Sequence, residues 1–211
     1  MNEHWVTFDC YGTLIDWNRG IRDVLGRVFG EAAADAALRR FHDIEPELQA
    51  DGRRTYRQVL TEAMRRLGAG ESEVTALAGS LPAWPAFPDV RRALEDLRAS
   101  GWRLAILSNT DRDYIEASIR QIGVPFELAI VASEIGSYKP GTKHWTEFFS
   151  RTDAKPSSHV HVAASLFHDI APAADLDLRA VWINRLGERS SLPRVDELPD
   201  LTGLAEVLSR L

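Results

Sequence analysis

The chain has 211 residues, of which 45% are apolar, 27% charged and 9% aromatic; these are the proportions of a folded, water-soluble protein with a substantial core and exclude a disordered or fibrous chain. Subtracting 31 acidic from 25 basic residues leaves a net charge of −6, which disfavours broad capture of nucleic acid or of an anionic membrane, so an anionic ligand has to meet locally placed cations. A lone cysteine, Cys10, excludes an intrachain disulfide and a multi-cysteine zinc cluster.

Residues 5–8 are a short apolar run bounded by Asp9 and the turn Tyr11-Gly12-Thr13, which predicts a buried strand that stops at a carboxylate. From about residue 21 to 67 apolar positions recur at helical spacing, with breaks expected at Gly30, Pro46 and Gly52 and no strand. Residues 81–88 carry three prolines and cannot continue a helix, so a domain boundary is placed near Pro85. A regular alternation follows: helix 89–99, strand 103–107, helix 112–122, strand 128–132, helix 142–150, strand 160–164 and a last strand 180–183. Strands joined by helical crossovers predict an α/β protein with a doubly wound, mostly parallel sheet covered on both faces. The single cysteine fits a reducing compartment, and neither a basic-then-apolar leader nor an apolar run of about 18 residues is present, so a cytoplasmic protein is expected.

In such sheets ligands bind at the carboxyl ends of the strands. Past the first strand stand Asp9 and Thr13; past the second, Ser108, Asn109 and Thr110; past the third, Lys139; past the fourth, Ser165 and Asp169. Each alone is an ordinary loop or capping residue, but their joint occurrence marks one edge of the sheet as a site. Lys139 is one of only three lysines among 25 basic residues, and a lysine in an arginine-rich chain suggests a need for a compact point charge. The histidines show no metal-ligand spacing, and no metal is expected. His159 and His161 alternate along a strand with both rings on one face, His168 reads as a partly exposed structural histidine, and Cys10 as a small buried packing residue.

Four stretches in order, Phe8-Asp9-Cys10-Tyr11-Gly12-Thr13, Leu107-Ser108-Asn109-Thr110, Tyr138-Lys139-Pro140 and Ser165-Leu166-Phe167-His168-Asp169, resemble the motifs of the haloacid dehalogenase superfamily. The resemblance implies a Rossmann-like catalytic core of residues 1–15 and 86–211, interrupted by a helical cap domain at 16–85. It also implies an aspartate nucleophile, Asp9. Phosphatases of that superfamily carry a second Asp two positions after the nucleophile to protonate an alkoxide; here that position is Tyr11. Halide needs no proton to leave, so the pattern suits carbon–halogen displacement. Near the fourth strand the phosphatase pattern Gly-Asp-Ser is replaced by Ala163-Ala164-Ser165, which removes a carboxylate that Mg²⁺ would want. The chain is thus similar to the type II 2-haloacid dehalogenases, which need no metal or cofactor.

By that resemblance Asp9 attacks the halogen-bearing carbon of a short 2-haloalkanoate, a small anionic substrate, and water then hydrolyses the resulting aspartyl ester. Lys139 would hold Asp9 ionised, Thr13 and Ser108 would hydrogen-bond its oxygens, and Asp169 would position the water. Arg40, reached by ungapped counting, would pair with the substrate carboxylate from the cap. Tyr11, Asn109, Trp145 and Ser165 are expected to line the substrate pocket. Ala164 and Leu166 stand where the best-matching dehalogenases carry Ser and Asn, so part of their water-holding network is missing. Alternatives are another hydrolase working through the same aspartyl ester on a strained ring or another good leaving group, a phosphatase, or an inactive binding homologue. No nucleic-acid or membrane partner is expected; a homodimer is compatible with the sequence, though no motif points to one.

Overall fold

The computed structural model describes residues 4–211. The first strand, β1 (Trp5–Phe8), is followed by four helices, α1 (Trp17–Phe29), α2 (Glu31–Gln49), α3 (Tyr56–Leu67) and α4 (Ala76–Ser80). Helix and strand then alternate: α5 (Val90–Ala99), β2 (Arg103–Ser108), α6 (Arg112–Ile122), β3 (Leu128–Val131), the short α7 (Ala132–Ile135), α8 (Lys143–Arg151) and β4 (His159–Ala163). The chain closes with α9 (Ala171–Asp175), β5 (Ala180–Ile183), β6 (Asp196–Leu198) and α10 (Leu204–Leu208). All strand pairs are parallel, in the order β3-β2-β1-β4-β5-β6. The chain winds outward from β1 to β3 and then returns to lay β4 on the other side of β1. This reversal opens a crevice at the carboxyl ends of β1 and β4, where doubly wound sheets bind ligands.

Alternation along the strands separates two cores. Val6 and Phe8 join Leu104, Ile106, Val160 and Val162 on the face that also receives the helices of the insertion. Trp5, Ala105, Leu107 and Ile130 pack on the other face with Trp145 and Phe148 of α8. Cys10 lies fully buried in the first of these clusters.

Helices α1–α4 leave and re-enter the sheet at adjacent points. Ile15 bridges Ala86, and the Asp16 N–H donates to the Pro85 carbonyl at 2.8 Å. The insertion is pinned again at the start of α3. The Thr55 hydroxyl and the Gln58 side chain form a reciprocal capping box there, and the Tyr56 and Arg57 N–H groups donate to the Asp111 carboxylate at 2.8 and 2.9 Å. A carboxylate at a helix N-terminus satisfies free donors and meets the positive end of the dipole, so one core residue sets the position of a helix facing the crevice.

Besides the short helices α4, α7, α9 and α10, which the sequence reading lacks, two elements differ from it. Helix α2 runs through Pro46 instead of breaking; proline removes one intrahelical bond, yet burial of Phe41, Glu45, Leu48 and Gln49 holds the last turn in place. The sheet also continues beyond β5 to β6, a three-residue edge strand, Asp-Glu-Leu, with no apolar run for a pattern to detect. Among the described residues no helix is long and apolar enough to cross a membrane.

Candidate active site

Asp9 leaves the end of β1 almost buried, at 7% exposure, on the floor of a cavity of about 520 Å³ between the strand ends and the insertion. Its two oxygens have different partners. Lys139 Nζ donates to Oδ1 at 2.9 Å and the Thr13 hydroxyl donates to Oδ2 at 2.8 Å. Thr13 is itself oriented by the Ala164 N–H, which donates to its Oγ1 at 2.9 Å. Lys139 Nζ makes two further bonds, to the Leu107 carbonyl at 2.9 Å and to Asp169 Oδ1 at 2.6 Å. An ammonium has three protons, and here three acceptors receive them.

Burial alone would lower the Lys139 pKa, but Asp169 and Asp9 more than reverse it and raise it above its ordinary value. Burial likewise pushes Asp169 up, and the Lys139 charge and His161 bring it well below the usual carboxylate range. Asp169 is thus an anion whose Oδ1 is committed, while its Oδ2 is buried without a partner.

Behind Asp169 runs a polar line through the sheet. His161 Nε2 contacts Asp169 Oδ1 at 2.9 Å, and the Thr7 hydroxyl contacts both His161 Nδ1 and His159 Nε2 at 2.8 Å. One assignment satisfies all three contacts: His159 Nε2–H donates to Thr7, Thr7 donates to His161 Nδ1, and His161 Nε2–H donates to Asp169, leaving His159 Nδ1 without a partner. Burial first, and then its neighbours His161 and Arg179, lower His159 to about 3, so it stays neutral. The two rings do share a face, and their task is to hold Asp169.

The remaining strand-end residues fall into place unevenly. Ser108 lines the cavity, but its Oγ is buried with no hydrogen-bond partner and does not reach Asp9 as expected, because Lys139 and Thr13 already hold the Asp9 oxygens. Asn109 lines the cavity too, with its amide clamping the Lys139 backbone: Lys139 N–H donates to Oδ1 at 2.7 Å and Nδ2 donates to the Lys139 carbonyl at 3.0 Å. Ser165 caps the π-helical turn Leu166–Ile170 by accepting from the His168 N–H at 3.0 Å, and its hydroxyl also meets His168 Nδ1. Tyr11 faces the cavity, its ring stacked on Tyr56 and its hydroxyl 3.0 Å from Ser118 Oγ.

Two expected pocket residues are elsewhere. Trp145 is buried in the core on the opposite face of the sheet, edge-on to the His161 ring, because α8 covers that face. Arg40 is exposed, and among the described residues its guanidinium reaches only the Arg66 carbonyl, at 3.5 Å. Helix α2 turns about 100° per residue, so its cavity face is His42, Glu45, Pro46 and Gln49, and Arg40, two residues before His42, points away. Arg40→Ala is therefore expected to change KM by less than about twofold and leave stability within about 0.5 kcal/mol, as steady-state kinetics and a melting curve would report.

Sequence reasoning missed Arg185, just past β5. It lines the cavity, donates twice to the Thr13 carbonyl, at 2.9 and 3.2 Å, pairs with Asp89 at 2.8 Å and stacks over Phe87. Reading strand ends one strand further would have found it. Glu45 and Gln49 were also missed; their i, i+4 spacing marks a helix face, but no local signal says what that face meets.

A family model described as haloacid dehalogenase-like hydrolase matches residues 4–177. The chain is 28% identical over 218 residues to (S)-2-haloacid dehalogenase 1 of Pseudomonas sp. (strain CBS-3), covering 97% of this chain and 96% of that one. It is 25% identical over 191 residues to (S)-2-haloacid dehalogenase 4A of Burkholderia cepacia, covering 85% and 82%. Its fold is that of the L-2-haloacid dehalogenase from Xanthobacter autotrophicus solved with chloropropionic acid covalently bound, with a TM-score of 0.84, 19% identity and 99% of each chain covered.

Proposed function

The chain belongs to the haloacid dehalogenase-like hydrolases, and from that premise we propose that it is a 2-haloacid dehalogenase, converting a short 2-haloalkanoate to a 2-hydroxy acid and halide. The observation that carries this reading is Asp9 held as a carboxylate by Lys139 and Thr13 on the cavity floor, with Tyr11 in place of an acid two positions on. An Asp9 oxygen attacks C2 from the side opposite the halogen; the C–O bond forms, the C–X electron pair leaves as halide, and configuration inverts. A nucleophile fixed by two donors reacts without first reorganising its surroundings. Water then adds to Asp9 Cγ while the unpartnered Asp169 Oδ2 takes its proton. The Cγ–O bond to the substrate breaks, the departing alkoxide oxygen takes the proton from Asp169 to give the 2-hydroxy acid, and Asp9 releases the remaining water proton to return to a carboxylate.

The donors around Asp9 do not suit a magnesium ion. Lys139 Nζ stands between the Asp9 and Asp169 carboxylates, and Ala163 and Ala164 supply no carboxylate, so no step is routed through a metal. Halide release from racemic 2-chloropropionate and from chloroacetate, in the presence of a chelator, tests the reading. Chloride released together with the 2-hydroxy acid supports it; no release from any short 2-haloacid, or magnesium-dependent turnover of a phosphomonoester instead, overturns it.

Ser108 gives a sharper check. A buried hydroxyl without a partner is available to the substrate carboxylate and contributes little to the free fold. Ser108→Ala is expected to lower kcat/KM about 10- to 100-fold, the loss of a hydrogen bond to a charged group, while the melting temperature stays within a few degrees.

A further inference from the structure

The wall opposite Asp9 lacks what an anionic substrate would ordinarily meet there. Among the described residues two cations line the cavity, Lys139 and Arg185, and both are spent, Lys139 on Asp9 and Asp169 and Arg185 on Asp89 and the Thr13 carbonyl. On α2 the lining residue in the middle of the wall is Glu45, 7% exposed. Gln49 Nε2 donates to its Oε1 at 2.8 Å, and the Tyr56 hydroxyl, which also accepts from Trp17 Nε1 at 3.1 Å, bonds its carboxyl. Gln49 in turn accepts from Asn109 Nδ2 at 3.4 Å, tying this wall to the end of β2.

We propose, resting on the reading above, that Glu45 is the specificity-determining residue for the acid end of the substrate: it binds the substrate carboxylate as a protonated carboxyl, sharing its one proton between the two groups. A hydrogen bond between a carboxyl and a carboxylate is charge-assisted and short, and it does the work of a cation without placing a positive charge beside Lys139. The 2-haloalkanoate and its 2-hydroxy acid product are anions between about pH 5 and 9, so the proton has to sit on Glu45.

The groups facing Glu45 make that state accessible. Burial raises its pKa to about 7, with Asp9 at the end of β1 adding to the shift and the donors Tyr56 of α3 and Gln49 of its own helix opposing it. Tyr138, beside Lys139, is raised by burial and then by Asp111 and Glu45 among other charges, so it faces Glu45 as a neutral phenol. His42, on the same helix face, is lowered by burial and adds no lasting positive charge. Below pH 7 Glu45 offers a proton; above it, two carboxylates confront each other and the acid is expelled.

Two measurements on the intact chain decide this. In the first, KM for 2-chloropropionate and for 2-chloropropionamide is followed from about pH 5.5 to 9 in the wild type and in Glu45→Gln. The acid's KM is expected to rise about tenfold per pH unit above 7 in the wild type, to lose that inflection in Glu45→Gln, and to have no counterpart for the amide. In the second, calorimetric titration with lactate at pH 8, in buffers of different ionisation enthalpy, is expected to show uptake of close to one proton per lactate in the wild type and none in Glu45→Gln. A KM for the acid that is flat through pH 7, the same inflection in Glu45→Gln, or lactate binding that is absent or free of proton uptake overturns the inference. Failure of the parent reading looks different: no halide from any 2-haloacid, whatever lactate does.

Discussion

Asp9→Asn is expected to release no measurable halide, a loss in kcat of roughly 10⁴-fold or more, the scale seen when a nucleophile is removed from an otherwise intact site. The size follows from the geometry. Both Asp9 oxygens accept, one from Lys139 Nζ and one from the Thr13 hydroxyl. An asparagine replaces one acceptor with an N–H₂ group that has to face a donor, and it removes the charge that attacks carbon in the proposed reaction. Wild-type enzyme in excess over 2-chloropropionate in heavy-oxygen water is then expected to carry the label in the Asp9 peptide after a single turnover. Label confined to the product in that first turnover sinks the covalent route, because it means that water attacked the substrate directly.

The second large effect is on stability. Lys139→Met is expected to destabilise the fold by about 3–5 kcal/mol at pH 7, because removing the cation leaves Asp9 and Asp169 as uncompensated, nearly buried anions. The pH dependence has a definite sign. Asp169 is depressed in the folded state, so its contribution is present above the ordinary carboxylate pKa of about 4 and is lost as pH falls through its lower folded value. Lys139 is raised, so its contribution is present below about 10.4 and is lost only as pH rises above that. The ion pair therefore operates across the neutral range. In Lys139→Met Asp169 loses the charge that held it ionised and protonates at higher pH. The deficit is accordingly expected to shrink between pH 7 and 5, as urea midpoints at each pH would show, and a deficit independent of pH counts against the account. Lys139→Arg is not expected to restore the wild type, since a planar guanidinium cannot replace three bonds fanning from one nitrogen to Asp9, Asp169 and the Leu107 carbonyl.

Local pattern was enough for β1, which spans Trp5–Phe8 as read, and for α6, which spans Arg112–Ile122 as read. A run of buried apolar residues stopping at a polar turn, or a periodic stretch ending at glycine, carries its own boundaries. The strand-end rule works because a parallel sheet delivers every strand's last residue to the same edge. It gathers Asp9, Thr13, Ser108, Lys139 and Asp169 at one edge from positions up to 160 residues apart in sequence, with the segments after β1, β3 and β4 carrying Thr13, Lys139 and Asp169 back to it. Where the residues sit on helices, local pattern falls short. Arg40 and Glu45 lie on the same helix, five residues apart; periodicity says that they occupy different faces but not which face meets the crevice. That was decided by the docking of α3 on Asp111 and of α2 against α1, contacts between segments that share no local signal. Trp145 shows the same limit, since its helix covers the sheet on the side away from the cavity.

By itself, then, the sequence determined the class of fold, the order of its first five strands along the chain and most of the groups brought to one edge, because strand alternation and crossover length leave few other arrangements. Only the tertiary structure decided how those groups share their protons and charges: three bonds from Lys139, an Asp169 oxygen buried without a partner, a Ser108 hydroxyl without a partner, and Glu45 where a cation was expected. The reason is physical. A hydrogen bond depends on angstrom-scale placement of two side chains from distant segments, and burial, which sets their charge, belongs to the packed whole and not to any stretch of chain.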